Sequence, residues 1–314
     1  MTMGATNSLL GIDGGGTSCR VALLWRGNRY ESRGGSANVT SDPHGAVSTI
    51  ATGLKDVAKQ AGLEPERLRQ IPAHLGLAGA TTPAICDQVK AMLPLARASV
   101  SDDQLTTLAG ALTSDDGVVV SIGTGSFLAR QQRDARRFLG GHGLALGDEA
   151  SGAWLGRALL ARVLHSVDGL APSSPLTVEI LAEFGDEAGA VSLFAATASP
   201  ARFGHSAPRV VAAARAGDVV ALALMRSGAS YILAGIEALN WQEGEAICLM
   251  GSLGPYYRPY LPDHVTRCVR DAKGSALDGA LFLAAQNAQA GVADTPPEPD
   301  PNRNGGRGQK AKFT

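Results

Sequence analysis

The sequence predicts an α/β protein built from two similar lobes with a cleft between them. Three observations predict it. An apolar segment at 9–12 runs into a glycine-rich turn and is answered by a second apolar segment at 19–25. The same logic returns at 118–122, which runs into Gly123-Thr124-Gly125-Ser126. A chain of 314 residues is also too long for one average core and comfortable for two domains.

Two apolar strands joined by Gly-rich turn chemistry make a β-hairpin, so 9–25 opens the first lobe. Over 43–62, Val47, Ile50, Leu54, Val57 and Ala58 share one face at helical spacing. Residues 75–80 read as a strand entering a turn, and 83–92 as a helix. Residues 98–101 read as a strand leading into Asp102 and Asp103, with a helix over 105–112. At 114–117 the string Ser-Asp-Asp-Gly is a turn, and the pattern restarts, which predicts an internal duplication. The stretch 150–240 reads as mostly helical, 246–250 as a buried strand and 277–289 as a last helix. The expected division is therefore a first lobe over 1–115 and a second over 116–290 with a helical insertion. A disordered tail rich in Pro, Gly, Asn and charge is expected over 291–314.

Composition bounds the function. Hydrophobic residues make up 45% and charged residues 18%, which is ordinary for a globular chain. The net charge of -1 argues against a nucleic-acid partner. No run of about 18 apolar residues is present, so no membrane span or membrane partner is expected. The N-terminus lacks a basic start and an apolar core, so it does not read as a signal peptide. Cys19, Cys86, Cys248 and Cys268 form no CxxC pair and have no His at ligand spacing, which argues against a zinc or iron–sulfur site within the chain. Scattered cysteines of this kind suit a reduced, cytoplasmic setting.

The chemistry is concentrated in the turns. In Asp13-Gly14-Gly15-Gly16-Thr17 the glycines let the backbone approach a polyanion and aim N–H groups at it. Thr17 adds a hydroxyl donor, and Asp13 suits Mg²⁺ held through water. No Gly-Lys-Ser/Thr follows, and a strand rather than a helix comes next, so this is neither a P-loop nor a dinucleotide fingerprint. Gly123, Thr124 and Gly125 offer the same donors at the second turn, so two loops would clamp one triphosphate from both lobes. Asp103, at a strand end, suits a base that takes the proton of an attacking hydroxyl; the competing reading is a helix N-cap, and Asp102 rivals it for either role. The loop holding Gly141, His142, Gly143 and Asp148 suits polyhydroxyl recognition, against a first-turn dipole role for Asp148 and Glu149. Asn38 is a candidate amide contact or plain turn chemistry, and Gly251-Ser252 follows a buried strand where an adenine ring could pass the backbone.

Taken in order, GIDGGGTSCR, GSAN, GLAGA, DDQLTTLAGA, VVVSIGTGS, GGHGLALGDEASG, CLMGS and LDGAL resemble a known family over roughly 8–288. It is the ATPase/N-acetylglucosamine-kinase family (BadF/BadG/BcrA/BcrD type) of the actin–hexokinase superfamily, and within it the bacterial glucosamine kinases. The resemblance implies two ribonuclease-H-like, actin-like ATPase domains, use of ATP and Mg²⁺, and a homodimer. It implies that Gly14, Gly15, Gly16, Thr17, Gly123, Thr124 and Gly125 contact phosphates, that Asp13 supports Mg²⁺, and that Gly251 and Ser252 lie near the nucleotide. Asn38, Asp103, Gly141, His142, Gly143 and Asp148 would line an amino-sugar site, with Asp103 as base for the 6-hydroxyl. Family members that use N-acetylglucosamine often carry Trp where this chain has His142, which leans the expectation toward glucosamine. The family's usual Asp-Ala is Asp103-Gln104 here. The alternatives are N-acetylglucosamine and, beyond sugars, an activator ATPase of a CoA-ester dehydratase or reductase. That last would hold an iron–sulfur cluster between subunits, which these cysteines do not suggest. A sugar-sensing regulator would need a helix-turn-helix before Leu9, and a ROK-type kinase a Cys-rich zinc motif.

Overall fold

The computed structural model describes residues 8–133 and 135–293. Two sheets organise the chain, and they share one wiring. The first contains β1 (Leu9–Gly14), β2 (Cys19–Trp25), β3 (Asn28–Gly34), β4 (Ala73–Leu77) and β5 (Ala98–Ser101), in the order β3-β2-β1-β4-β5. β1, β2 and β3 form an antiparallel meander, and β4 and β5 add parallel to β1. The second contains β6 (Gly117–Ile122), β7 (Ser126–Gln132), β8 (Ala135–Gly140) and β9 (Ala246–Met250), in the order β8-β7-β6-β9, with β6–β9 parallel. β6 to β9 thus repeat β1 to β4 in order and direction, as the duplicated turn motif predicts. Beyond β9 the second sheet carries a single parallel bridge, Ile247 to Val269, where the first has β5.

Both central strands are covered on two faces, which is why they read as near-continuous apolar runs. Leu10, Ile12, Leu75 and Leu77 are buried in the first core, and Val118, Val120 and Ile122 in the second. α1 (Pro43–Gln60) packs on β2 and β3, with Asp42 capping it at Gly45 N and Pro43 at its start. α2 (Pro83–Met92) begins the same way, with Thr82 accepting from Ile85 N. α3 (Asp103–Leu112) lies between the lobes: Leu108, Ala111 and Leu112 join Val119, Phe127, Ala129 and Cys248 in one cluster.

The insertion expected over 150–240 is helical. It comprises α4 (Gly152–Val167), α5 (Pro175–Glu183), α6 (Ala188–Thr197), α7 (Pro200–Gly204), α8 (Ala207–Arg215) and α9 (Val219–Ala238). By length and composition α9 is apolar enough to cross a membrane despite Arg226 and Glu237, yet it runs through the second core beside α4 and α8. After β9 come the short α10 (Gly254–Tyr257) and α11 (Asp263–Thr266), then α12 (Ala276–Ala293).

α12 departs from the linear division. That division assigns 116–290 to the second lobe, whereas α12 packs on β1, β4 and α3. Leu277 and Leu281 bury against Ala22 on the first sheet. Residues 291–293, placed in the expected tail, continue this helix; the remainder of that stretch, 294–314, lies outside the described residues. The four cysteines are free thiols, three buried and Cys86 half-buried.

Candidate active site between the lobes

The candidate residues gather where the parallel strands end, which is where open α/β sheets place their ligands. Asp13 ends β1. Arg20, across the hairpin, holds its Oδ2 through Nε at 3.0 Å and through Nη2. The turn between them is closed by Gly15 N to Ser18 O at 2.9 Å. Gly14 is required by space, since a Cβ there would lie 2.7 Å from Leu77 Cδ2. Gly16 and Thr17 face outward, as an anion cradle needs.

The second turn is tied to a helix start. Gly123 N bonds Gly125 O, while Gly123 O and Thr124 O accept from Gly152 N and Ala153 N at the head of α4. The turn after β9 closes on the same spot: Gly251 has φ +77 and its Cα faces Ile122 O so closely that no Cβ fits. Thr17, Gly123, Thr124 and Ser252 then line one cavity of about 420 Å³, so the expected phosphate loops of both lobes converge. The far wall is apolar: Pro208 and Val211 of α8, Leu253 and Tyr256, with the Arg215 guanidinium 4.8 Å from the Tyr256 ring centroid. Sequence reasoning missed Arg215 and Tyr256. They lie in helices with no motif, and only the fold brings them to the cavity.

On the acceptor side, the two adjacent carboxylates separate in role. Asp102 is the N-cap of α3, its Oδ1 accepting from Gln104 N at 2.9 Å. Asp103 is left with its carboxyl uncommitted to capping. Burial, the Asp102 charge, a hydrogen bond with Asp102 and the Asp13 charge hold it well above the usual carboxylate range. A base raised toward neutral pH is suited to proton transfer.

Next to it opens a second cavity, about 750 Å³, lined by Asp87, Asp102, Gln104, Gly141 and His142 with Phe138. Gln104 Nε2 lies against Gly141, so the first turn of α3 touches the second lobe beside His142. Asn38, Asp103, Gly143 and Asp148 are outside this lining. Asn38 Oδ1 accepts from Thr40 N and Ser41 N, the turn chemistry weighed against a ligand role; its amide nitrogen makes no hydrogen bond among the described residues. The neighbouring backbone ties the hairpin to β4, with Ala37 N bonding Gly15 O and Val39 N bonding Ala78 O.

Asp148 is not in the first turn of α4, whose cap is Ser151. Its buried carboxylate accepts the N–H groups of Ser126 and Gly143, which lower a pKa that burial raises more. It also stands 2.9 Å from where a Cβ on Gly125 would be, so it pins the Gly-rich loop to the Gly123–Gly125 turn.

The donor set at Asp13 fits a hydrated Mg²⁺. Both Arg20 contacts fall on Oδ2, leaving Oδ1 to accept from a metal-bound water, and Mg²⁺ keeps several waters when bound beside phosphates.

Residues 10–257 match the BadF/BadG/BcrA/BcrD ATPase family, and the chain belongs to it. Glucosamine kinase GspK of Vibrio cholerae is 29% identical over 286 residues, covering 89% of this chain and 96% of that protein. A crystal structure from Chromobacterium violaceum, described as a candidate N-acetylglucosamine kinase, superposes with a TM-score of 0.81 at 32% identity, covering 88% of this chain and 99% of that one. A ROK family glucokinase from Streptomyces griseus, solved with glucose and AMPPNP, shares the fold at TM-score 0.55 and 17% identity, covering 89% of this chain and 99% of that one.

Proposed function

We propose that this chain is an ATP-dependent amino-sugar kinase that phosphorylates the 6-hydroxyl of glucosamine. One observation carries the reading. Glycine turns of both lobes line one cavity, and residues of both lobes line a second, flanked by a carboxylate whose pKa is raised. Phosphoryl transfer asks for this pairing of phosphate positioning and a base at the acceptor.

The Thr17 turn and the Gly123–Gly125 turn hold the triphosphate by N–H and hydroxyl donors. Asp103 accepts the hydroxyl proton as the sugar oxygen bonds to the γ-phosphorus; the bond to the bridging oxygen breaks and ADP leaves. Mg²⁺ at Asp13 would neutralise charge on the phosphate oxygens. Asn38 and the 141–148 loop orient the sugar. The acceptor-side cavity has two carboxylates, Asp87 and Asp102, and no Lys or Arg in its lining, which favours an ammonium over an acetamido group. The homodimer that the family resemblance implies and the cytoplasmic location that the scattered cysteines suggest belong to the same proposal.

The test is ADP release with glucosamine, N-acetylglucosamine, glucose and N-acetylmannosamine. The highest kcat/KM is expected for glucosamine. A higher kcat/KM for N-acetylglucosamine reassigns the substrate, and no turnover with any sugar sinks the kinase reading.

A further inference from the structure

At the wall of the acceptor-side cavity, which Ser101 lines, a chain of hydrogen bonds through a buried histidine ends on the peptide that precedes Asp103. His74, in the middle of β4, is 3% exposed. Its Nδ1 is 2.8 Å from Ser99 Oγ and its Nε2 3.0 Å from Ser101 Oγ, both on the neighbouring β5. Ser101 Oγ donates to Asp102 O at 2.9 Å, and Asn287 Nδ2, on α12, donates to Ser99 Oγ at 2.7 Å.

Proton counting leaves two directions, and the Asn287 amide favours one: its Nδ2, which only donates, also lies 3.5 Å from His74 Nδ1, which suits that ring nitrogen as an acceptor. A serine hydroxyl has one proton. Ser101 uses its proton on Asp102 O, so it accepts from His74, and the ring carries its hydrogen on Nε2. A neutral ring then accepts at Nδ1, where Ser99 donates, and Ser99 in turn accepts from Asn287. The 3.2 Å contact of Ser99 Oγ with Ala73 O is the one given up. The order is Asn287 to Ser99 to His74 to Ser101 to the Asp102 carbonyl. Burial, which holds the imidazole down to about 4, keeps the ring neutral at neutral pH.

We propose that His74 is a positioning residue for phosphoryl transfer: through Ser101 it fixes the Asp102–Asp103 peptide, and with it the direction in which the Asp103 carboxylate meets the acceptor hydroxyl. This rests on the kinase reading with Asp103 as base. The carboxylate is faced by Asp102 on its own helix and by Asp13 on β1, which is paired with Arg20. A small rotation of the peptide changes its distance to both.

The experiment uses steady-state kinetics on the full chain with its best sugar. Gln places an amide nitrogen where the imidazole has Nε2, whereas Leu places nothing. His74→Leu is expected to lower kcat roughly tenfold or more with KM for ATP unchanged, because a misdirected base slows the chemical step. His74→Gln is expected to keep most of the activity. Ser101→Ala is expected to match His74→Leu, and the double variant to lose no more than either single one. In the Leu and Ala variants the acid limb of kcat moves to lower pH as the Asp102–Asp103 contact loosens. Should His74→Leu fail to fold, the smaller Ser101→Ala change carries the same test, read as a loss of kcat with KM for the sugar unchanged, because Ser101 also lines the acceptor-side cavity. A folded His74→Leu or Ser101→Ala with kcat within twofold of the parent, or equal losses for Gln and Leu, overturns the proposal. A parent chain that turns over no sugar overturns the kinase reading instead, so the two failures are distinguishable.

Discussion

At the start of α3, two carboxylates one residue apart live in different surroundings. Asp102 meets a backbone N–H and serves the helix; Asp103 meets mainly burial and other carboxylates. Asp103→Asn is therefore expected to cut turnover by about 10²–10⁴-fold while still binding sugar, the range lost with a general base. Full activity in that variant removes Asp103 from the role. The pH dependence has a definite sign. A carboxyl raised in the fold stabilises the fold while protonated, and that contribution is lost as pH climbs from the ordinary carboxylate range through the raised value. Activity runs the other way, since the base works ionised. Comparing thermal unfolding of the Asn variant and the parent from pH 4 to pH 9 should show the Asn variant gaining relative stability as activity of the parent rises. A stability difference that does not change with pH contradicts the raised carboxyl. From sequence alone, cap and base were an even choice between these aspartates, because both sit before the same apolar run. Only the backbone direction at the strand end decides which carboxylate reaches Gln104 N.

The elements that join the lobes are α3 and α12, and they meet backbone to backbone. A Cβ on Gly279 would collide with Thr106 O and crowd Gly110, and one on Gly110 would collide with Ser275 O. Each helix also faces the sheet of the lobe its position in the chain does not suggest: α3 buries Leu108 and Leu112 with the second sheet, α12 buries Leu277 and Leu281 on the first. Gly279→Ala should cost about 1–3 kcal/mol, the range for overpacking, measured by denaturant unfolding. Gly189→Ala on α6, where a Cβ meets open space, should be neutral or slightly stabilising. Equal effects at the two positions would mean the helices part without cost. The hairpin strands, α1, α2 and β9 were legible in the sequence because apolar periodicity and capping residues mark them. β3 and β8 were not, since an edge strand is held by one neighbour and carries charge: Asn-Arg-Tyr-Glu-Ser-Arg-Gly in one, Arg136 and Arg137 in the other. The return of α12 to the first lobe was equally hidden. An apolar helix face does not say which sheet will cover it.

At the scale of the molecule, the duplicated sheets make each cavity a shared one. Thr17 of the first lobe and Gly123, Thr124 and Ser252 of the second line the cavity proposed for the nucleotide; Asp102 and Gln104 of the first face Gly141 and His142 of the second in the other. A ligand in either cavity therefore favours the lobe arrangement that the other ligand needs, and such coupling is reciprocal. Either ligand alone at a hundred times its Kd should stabilise the fold by about 2.7 kcal/mol. Glucosamine with a non-hydrolysable ATP analogue should exceed the sum of the two by about 1–3 kcal/mol. The same quantity appears in binding: calorimetry should find the analogue roughly 5–150-fold tighter with saturating sugar. Linkage then requires the sugar to bind tighter by the same factor in the presence of the analogue. A nucleotide affinity that ignores the sugar would make the two cavities independent, and the contact of Gln104 with Gly141 would be packing with no part in closure.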